Sequence, residues 1–328
     1  MFAAVYERTG SAAEVLRIEE LPTPTPGPGE VRVRLRWSGV NPSDVKSRGG
    51  LRTRTLPFPR IVPHSDGSGV IDAVGAGVAP QRAGERVWTW NAAWGRAFGT
   101  AAQYVVLPEA QAVRLPDNVD LAAGACFGIP ALTALHALEV DGGVAGKNVL
   151  VAGGAGAVGY YAIQFAQLMQ AGSVITTVSG VEKAKVAQAA GADVVLNYKR
   201  DDLLAKVSEA TGNRGVDRIV EVDFGVNAAL DLQLLRPEGD IIVFGSGASD
   251  VTLSFSTAIR KHARLRFILV YLLNAADRAR AIAQLTAWLE TGRVKHNIAA
   301  RFPLTHIAAA HELVEGGGAV GNVLLEIE

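Results

Sequence analysis

Cysteine is nearly absent: Cys126 is the one thiol in 328 residues, which excludes an internal disulfide and any multi-cysteine zinc lobe. An excess of one charge is absent too. The 32 basic and 32 acidic residues cancel, so no strong field is available to hold nucleic acid or an anionic membrane, and small molecules are the expected partners. No apolar run reaches the length of a transmembrane helix, and the N-terminus, MFAAVYERTG, turns charged after a brief apolar start. The reading is of a soluble chain without signal peptide or membrane span, with a cytoplasmic location expected. Paired metal-ligand spacings are missing as well. His136, His262, His296, His306 and His311 show nothing like H-E-x-x-H, and most of them read as surface or capping residues. Cys126, beside Phe127 in an apolar segment, reads as a small buried hydrophobe rather than a nucleophile.

What is present is length and apolar content. With 49% of its residues apolar the chain can bury a large core, and its length favours two domains over one. From Val31, VRVRLRW alternates strictly, with Val31, Val33, Leu35 and Trp37 on one face and Arg32, Arg34 and Arg36 on the other. That is the pattern of a half-buried strand with a solvated basic face. Short β-rich runs follow at 70–74, 86–89 and 102–106 between Gly and Pro turns, after a Pro-rich connector at 21–29. The first third is thus predicted to be mostly antiparallel β. After Leu121 the rhythm changes, with apolar runs at 148–153, 174–178, 194–196, 218–222, 241–244 and 266–270 separated by helix-length segments. Six such strands predict an α/β fold with a doubly wound parallel sheet of the dinucleotide-binding type. The tail carries a helical stretch, 275–290, and a last strand, 322–327, that can return to the first domain.

Between the first of these strands and the next helix stands GAGAVG, in which Gly154, Gly156 and Gly159 satisfy G-x-G-x-x-G in the strand–turn–helix context that gives the motif its meaning. Glycine permits a tight turn and close approach of a pyrophosphate to bare backbone, and the helix N-terminus offers unpaired N–H groups. Behind the loop, Val158, Tyr161, Ala162, Phe165, Ala166 and Met169 form one apolar stripe at helical spacing. An NAD-selective site has Asp or Glu at the end of the second strand, about twenty residues on, to bond the ribose 2′-hydroxyl. Here SVITTVSG ends in Ser179 and Gly180, which leaves room for the 2′-phosphate of NADP. Lys183, in the first turn of the next helix, is placed to neutralise that phosphate, and Tyr198, after the third strand, to bond it. Spacing alone reads both equally well as ordinary surface residues, and Glu182 beside Lys183 weakens the charge argument.

The start EVLRIEELPTPTPGPGEVRVRLRWSGVNPSD, then SDGSGVIDAVGAGV, FGIPALTALHAL, NVLVAGGAGAVG, GADVVLNYKRDDL and the ending AHELVEGGGAVGNVLL stand in one order. Through nearly its whole length the chain resembles the zinc-independent quinone oxidoreductases similar to zeta-crystallin, within the medium-chain dehydrogenase/reductase superfamily. The resemblance implies a GroES-like β-rich substrate domain built from 1–122 and 272–328 around a Rossmann NADP-binding domain, 123–271. It also implies a homodimer through edge-strand pairing of the Rossmann sheets. Carried onto matching positions, it sets Asn41 of NPSD toward the nicotinamide and Thr133 near the nicotinamide or the phosphates. Ala155, Gly156, Ala157 and Val158 line the pyrophosphate, and Ser179, Lys183 and Tyr198 form the 2′-phosphate pocket. Phe244, Gly245 and Ser246, with Phe267 and Leu269, cradle the nicotinamide. Two departures stand out: Lys46 occupies a position where close relatives of zeta-crystallin often carry Tyr, and Asn322 follows Gly321 where many carry Lys.

The implied activity is NADPH-dependent reduction of quinones by direct hydride transfer to a conjugated acceptor, with no metal. Reduction of activated alkenes, such as enones or 2-enoyl compounds, is the alternative on the same scaffold. A non-catalytic nucleotide- or RNA-binding protein is the rival from another class, and a zinc alcohol dehydrogenase the fourth reading. A conjugated acceptor delocalises the incoming electrons onto its own oxygen, so the protein has to position, exclude water and supply hydrogen bonds. Asn41 either positions the nicotinamide ribose or the acceptor carbonyl, or only caps the helix beginning PSDVKSR. Lys46 either stabilises the enolate or relays a proton, or is simply solvated. In WTWNAAWGRAFG, Trp90 and Trp94 are either walls for a flat acceptor or packing.

The segment PHSDGSG, 63–69, sets imidazole, hydroxyl and carboxylate side by side. The zinc-dependent branch of the superfamily carries Gly-His-Glu, two residues and Gly here. Aligned on Gly69, His64 falls one position out of register with that ligand, and position 43 is Ser43 where a Cys is required. The segment reads as a turn into the strand GVIDAVG, with Asp66 bonding local backbone and no metal held.

Overall fold

Alternating burial along VRVRLRW builds the strand Glu30–Val40, with Val31, Val33 and Leu35 buried and Arg34 and Arg36 exposed. The alternation ends at Trp37. The register against the strand Asp66–Val74 shifts between Leu35 and Trp37, the indole is half-buried under the Arg301 guanidinium, and Ser38, Gly39 and Val40 are all buried. In the computed structural model, which describes residues 1–51 and 55–328, this strand is the hub of a seven-stranded sheet. Its order is Ile298–Pro303, Asn322–Glu326, Glu30–Val40, Asp66–Val74, Arg86–Thr89 and Ala112–Arg114, with Tyr104–Pro108 also paired to Glu30–Val40. The last strand of the chain therefore lies antiparallel beside one of the first. Val31, Val33, Leu35, Ile71, Val87 and Val105 share a core with Val323 and Leu325. The whole belongs to one compact unit, Met1–Ile129 with Thr286–Glu328.

The second unit, Pro130–Leu285, holds a six-stranded sheet. Its order is Val194–Asn197, Ser173–Val178, Asn148–Val151, Val216–Glu221, Leu235–Val243 and Arg264–Phe267, parallel throughout. This is the Rossmann doubly wound order, and the direction of winding reverses between Asn148–Val151 and Val216–Glu221. The helix Ala157–Leu168 is buried at every position from Gly159 to Ala166, a wider face than the one stripe expected, because it packs against both the sheet and the helix Leu132–Glu139. At the opposite end of the sheet from the phosphate loop, the fully buried Arg218 donates to Leu138 O at 2.9 Å and to Asp240 Oδ2 at 3.0 Å. No helix among the described residues is long and apolar enough to cross a membrane.

Candidate functional site

The glycine loop divides its labour. Gly153 has φ +67°, a conformation that favours glycine. A Cβ on Gly154 would collide with the Thr176 hydroxyl, and one on Gly159 with the Gly153 carbonyl, so both close the loop onto its neighbours. Gly156, the N-cap of Ala157–Leu168, meets only Gly153 O at 3.3 Å and is otherwise open. Bare backbone is thus presented at the N-terminus of this helix. The first-turn N–H groups of Ala157 and Val158 have no acceptor within the helix, which is the setting for an anion. Thr177 fixes the loop from the next strand: Gly153 N–H donates to Thr177 Oγ1 at 3.3 Å and Gly154 N–H to Thr177 O at 3.2 Å.

Ser179 follows the strand Ser173–Val178, and Gly180 caps the helix Val181–Ala189. Tyr198 N–H donates to Val178 O at 3.1 Å, which brings Ser179 and the half-exposed Tyr198 to adjoining strand ends. Lys183 lies in the first helical turn. Glu182 beside it pairs instead with Lys185 at 2.8 Å, so its charge is directed away from Lys183. Phe244, Gly245 and Ser246 follow the strand Leu235–Val243, and Ile268 N–H donates to Val243 O at 2.9 Å. That bond sets the segment of Phe267 and Leu269 alongside the end of this strand. Phe267 is 67% exposed with its ring edge-on to Phe224, so it is a surface ring rather than core. Thr133 is buried in the helix Leu132–Glu139.

In the β-rich unit, Asn41 is the N-cap of the helix Pro42–Arg48, and the Asp44 carboxylate accepts from Asn41 N–H at 2.9 Å. Its side chain does more than cap. Asn41 Nδ2 donates to Asp66 Oδ2 at 2.9 Å, and both residues are buried. Burial drives the Asp66 carboxyl well above the usual range, with the nearby Asp44 charge adding to it and the bonds from Asn41 and the Ile129 N–H opposing. Burial thus favours the protonated form of Asp66. Lys46 is half-buried on the same helix. Trp90 donates through Nε1 to Ala110 O at 3.2 Å, Trp94 is 41% exposed, and Trp88 is core, edge-on to Phe127.

The segment 63–69 shortens the expected turn to residues 63–65, with a bend at Ser65. Asp66, Gly67 and Ser68 already belong to a strand, paired with Gly39, Ser38 and Trp37, because Asp66 is drawn in by Asn41 rather than by local backbone. His64, at φ +77°, is fully buried. Its Nδ1 lies 2.9 Å from Ser38 Oγ and its Nε2 2.8 Å from His311 Nε2. Ser38 Oγ continues to Thr100 Oγ1 at 2.8 Å. The expectation of mostly surface or capping histidines is corrected too. His311 and His136 are buried and His296 is half-buried, its imidazole pushed down to about 4 by burial. A core role for Cys126 stands, since it is fully buried with Sγ 3.6 Å from Ala122 O. Sequence reasoning missed Asp66 as the partner of Asn41, the His64–His311 pair, and the buried carboxylates Glu221 and Asp231. Each depends on partners far apart in the chain, although D-G-S-G directly before an apolar run marked Asp66 as a position to weigh.

Comparison with known proteins covers both units. The family described as zinc-binding dehydrogenase matches residues 157–288, and the alcohol dehydrogenase GroES-like domain matches residues 27–117. The quinone oxidoreductase of Pongo abelii is 32% identical over 289 residues, covering 88% of this chain and 86% of that protein. A solved structure of an NAD-dependent alcohol dehydrogenase superposes with a TM-score of 0.91 at 30% identity, covering 100% of both chains. A mycobacterial structure complexed with NADPH gives 0.89 at 30% identity, covering 99% of this chain and 100% of that one.

Proposed function

Since the chain belongs to the quinone oxidoreductase family of medium-chain dehydrogenases and reductases, the one similar to zeta-crystallin, we propose that it reduces quinones with NADPH by direct hydride transfer and without zinc. The observation that carries the cofactor choice is the end of the strand Ser173–Val178. No carboxylate stands there to repel a 2′-phosphate, and Lys183 follows with its acidic neighbour already engaged by Lys185. Ala155, Gly156, Ala157 and Val158 hold the pyrophosphate on open backbone. Ser179, Lys183 and Tyr198 hold the 2′-phosphate, and Thr133, Phe244, Gly245, Ser246, Phe267 and Leu269 take the nicotinamide end.

When bound, NADPH supplies the hydride, and a quinone accepts it because its conjugated carbonyls receive the electrons. The chain's own residues align and protonate. Asn41, its amide fixed by Asp66, hydrogen-bonds the acceptor carbonyl in one orientation. The reduced ring then needs one proton to become the hydroquinone, and Lys46 delivers it. A zinc ion does not fit the residues present. Both His64 ring nitrogens have hydrogen-bond partners, position 43 is Ser43, and Cys126 is buried on Ala122 O. Among the described residues no three His, Cys, Asp or Glu side chains form a metal-holding group. A homodimer is part of the proposal, a second copy pairing along the sheet edge Arg264–Phe267, where Phe267 is exposed.

Steady-state assays with NADPH against 1,4-naphthoquinone and against simple enones test the activity. Quinone turnover supports it. Turnover of enones alone replaces quinones by activated alkenes, and NADPH binding with no oxidation by any acceptor points to a non-catalytic nucleotide-binding protein.

A further inference from the structure

The strand Val216–Glu221 ends in a fully buried carboxylate, and Asp231, on the following helix Phe224–Leu234, is buried with it. One Glu221 oxygen is occupied: Oε1 accepts from Asp223 N–H at 2.5 Å and from Asn227 Nδ2 at 2.9 Å. The other, Oε2, and Asp231 Oδ2 meet no N–H or hydroxyl donor. Two orphaned buried acceptors are costly, and two adjacent buried carboxylates cannot both ionise. A single proton between them turns both faults into one hydrogen bond.

This pair stands behind the turn 221–224 and the loop 244–248. Phe244 N–H donates to Glu221 O at 3.0 Å, Phe224 N–H to Gly245 O at 3.1 Å, and Gly247 N–H to Asp223 Oδ1 at 2.8 Å. A Cβ on Gly245 would collide with Val222 O, and one on Gly153 would meet Val222 Cγ1 at 3.4 Å. The turn is therefore packed against the loop on one side and the start of the phosphate loop on the other. We propose that Glu221 and Asp231, sharing one proton, are positioning residues for the dinucleotide: they fix the turn 221–224 and through it the loop of Phe244, Gly245 and Ser246 at the nicotinamide end. This rests on the NADPH reading above.

The charges bearing on the pair are few. Asp223 on the turn raises Glu221 further, after burial. Burial first, then the Glu221 charge, pushes Asp231 up to about 9. On the flanking strand Leu235–Val243, Arg236, Glu238 and Asp240 lie toward the opposite end of the sheet, and Arg218 on the same strand as Glu221 is bonded to Asp240. Losing the shared proton places two like charges in contact and drives the turn away from the loop.

The test is NADPH affinity by fluorescence titration from pH 7 to 10, with 2′,5′-ADP as a ligand that lacks the nicotinamide end. In the native protein NADPH affinity is expected to fall by up to about tenfold per pH unit above 9, while 2′,5′-ADP affinity stays flat. Asp231→Asn gives Glu221 an N–H donor that cannot be lost, so its NADPH affinity is expected to match the native value at pH 7 and stay level to pH 10. Asp231→Ala leaves Glu221 Oε2 orphaned and is expected to weaken NADPH at pH 7 with 2′,5′-ADP little changed. Flat native NADPH binding to pH 10, Asp231→Asn falling like the native protein, or 2′,5′-ADP weakening in step with NADPH each overturns the positioning role while the cofactor reading stands. Failure of the native protein to bind either ligand at pH 7 overturns the cofactor reading and this inference with it.

Discussion

Asn41 Nδ2 and Asp66 Oδ2 meet at 2.9 Å between a helix cap and a strand start in the β-rich unit. Asp66 holds its proton more tightly than a free aspartate because burial outweighs the bonds that favour its charge. An unfolded aspartate ionises near 3.9 and the folded one at a higher pH, so between the two the native state binds the extra proton. Stability from this group is therefore full below about pH 4 and declines as pH rises toward the raised folded value. Asp66→Asn removes that decline. Its unfolding free energy is expected to exceed the native one by an amount that grows from pH 5 to pH 8, read from urea midpoints. A constant difference across that range would show Asp66 to be ionised in the native state. Asp66→Ala orphans the buried Asn41 amide and is expected to cost about 1–3 kcal/mol, with kcat lowered more than the KM for NADPH.

The His64–His311 pair has the opposite sign. Burial, then the neighbouring imidazole, lowers His64 well below its usual value, and burial, then Arg48, takes His311 down to about 3. Both rings are neutral in the native state, whereas unfolded histidines protonate near 6.5. Their contribution is present above that value and is lost as pH falls, by up to about 1.4 kcal/mol per pH unit for each ring. The melting temperature is expected to drop steeply between pH 6.5 and 4. Burial lowers His136 and His296 as well, so His311→Gln removes one contributing ring of four and should reduce that slope by roughly a quarter to a third. An unchanged slope would assign the acid sensitivity elsewhere.

The parallel sheet was legible because its strands and glycine loop are local signals, and the six runs from 148–153 to 266–270 reappear as strands with ends shifted by a few residues. Trp37 was misread because a register shift against a distant strand, not the local period, sets its exposure. The same holds for His64 and Asp66. Their partners Ser38, His311 and Asn41 lie far off in sequence, and nothing in the spacing of one segment reports a hydrogen bond to another. Glu221 and Asp231 carry no local sign of burial, since a carboxylate at a strand end and one on the next helix are each ordinary surface positions in sequence and buried acids are rare.

The three glycines of the loop are expected to separate by substitution with alanine. At Gly154 and Gly159 the added methyl strikes Thr176 or the Gly153 backbone, so a loss on the order of 1–3 kcal/mol in unfolding free energy is expected. At Gly156 the methyl meets only Gly153 O, at 3.3 Å, which a shift of a few tenths of an ångström relieves, so the loss should stay at or below about 1 kcal/mol. The methyl nevertheless occupies backbone offered to the pyrophosphate, and NADPH affinity should fall. Equal destabilisation at all three positions would mean that Gly156 is also a packing glycine and not the open edge of a site.

Lys183 offers the sharpest test of cofactor choice. The Glu182–Lys185 pair is exposed on both sides and contributes little stability, so its consequence is that Glu182 is engaged elsewhere while Lys183 sits in the first turn of the helix after Ser179. A charge-assisted bond to phosphate contributes about 1.5–3 kcal/mol. Lys183→Ala is thus expected to weaken NADPH by about ten- to a hundredfold, and Lys183→Glu by more, since it adds repulsion. NADH lacks the 2′-phosphate and should change by no more than about threefold in either variant. Lys185→Ala controls for general charge: it frees Glu182 to face Lys183, so a modest selective loss of NADPH affinity is expected, smaller than for Lys183→Ala. Equal losses of NADPH and NADH on substituting Lys183 would show that it stabilises the helix and does not read the phosphate, and selectivity would then have to come from Ser179 and Tyr198.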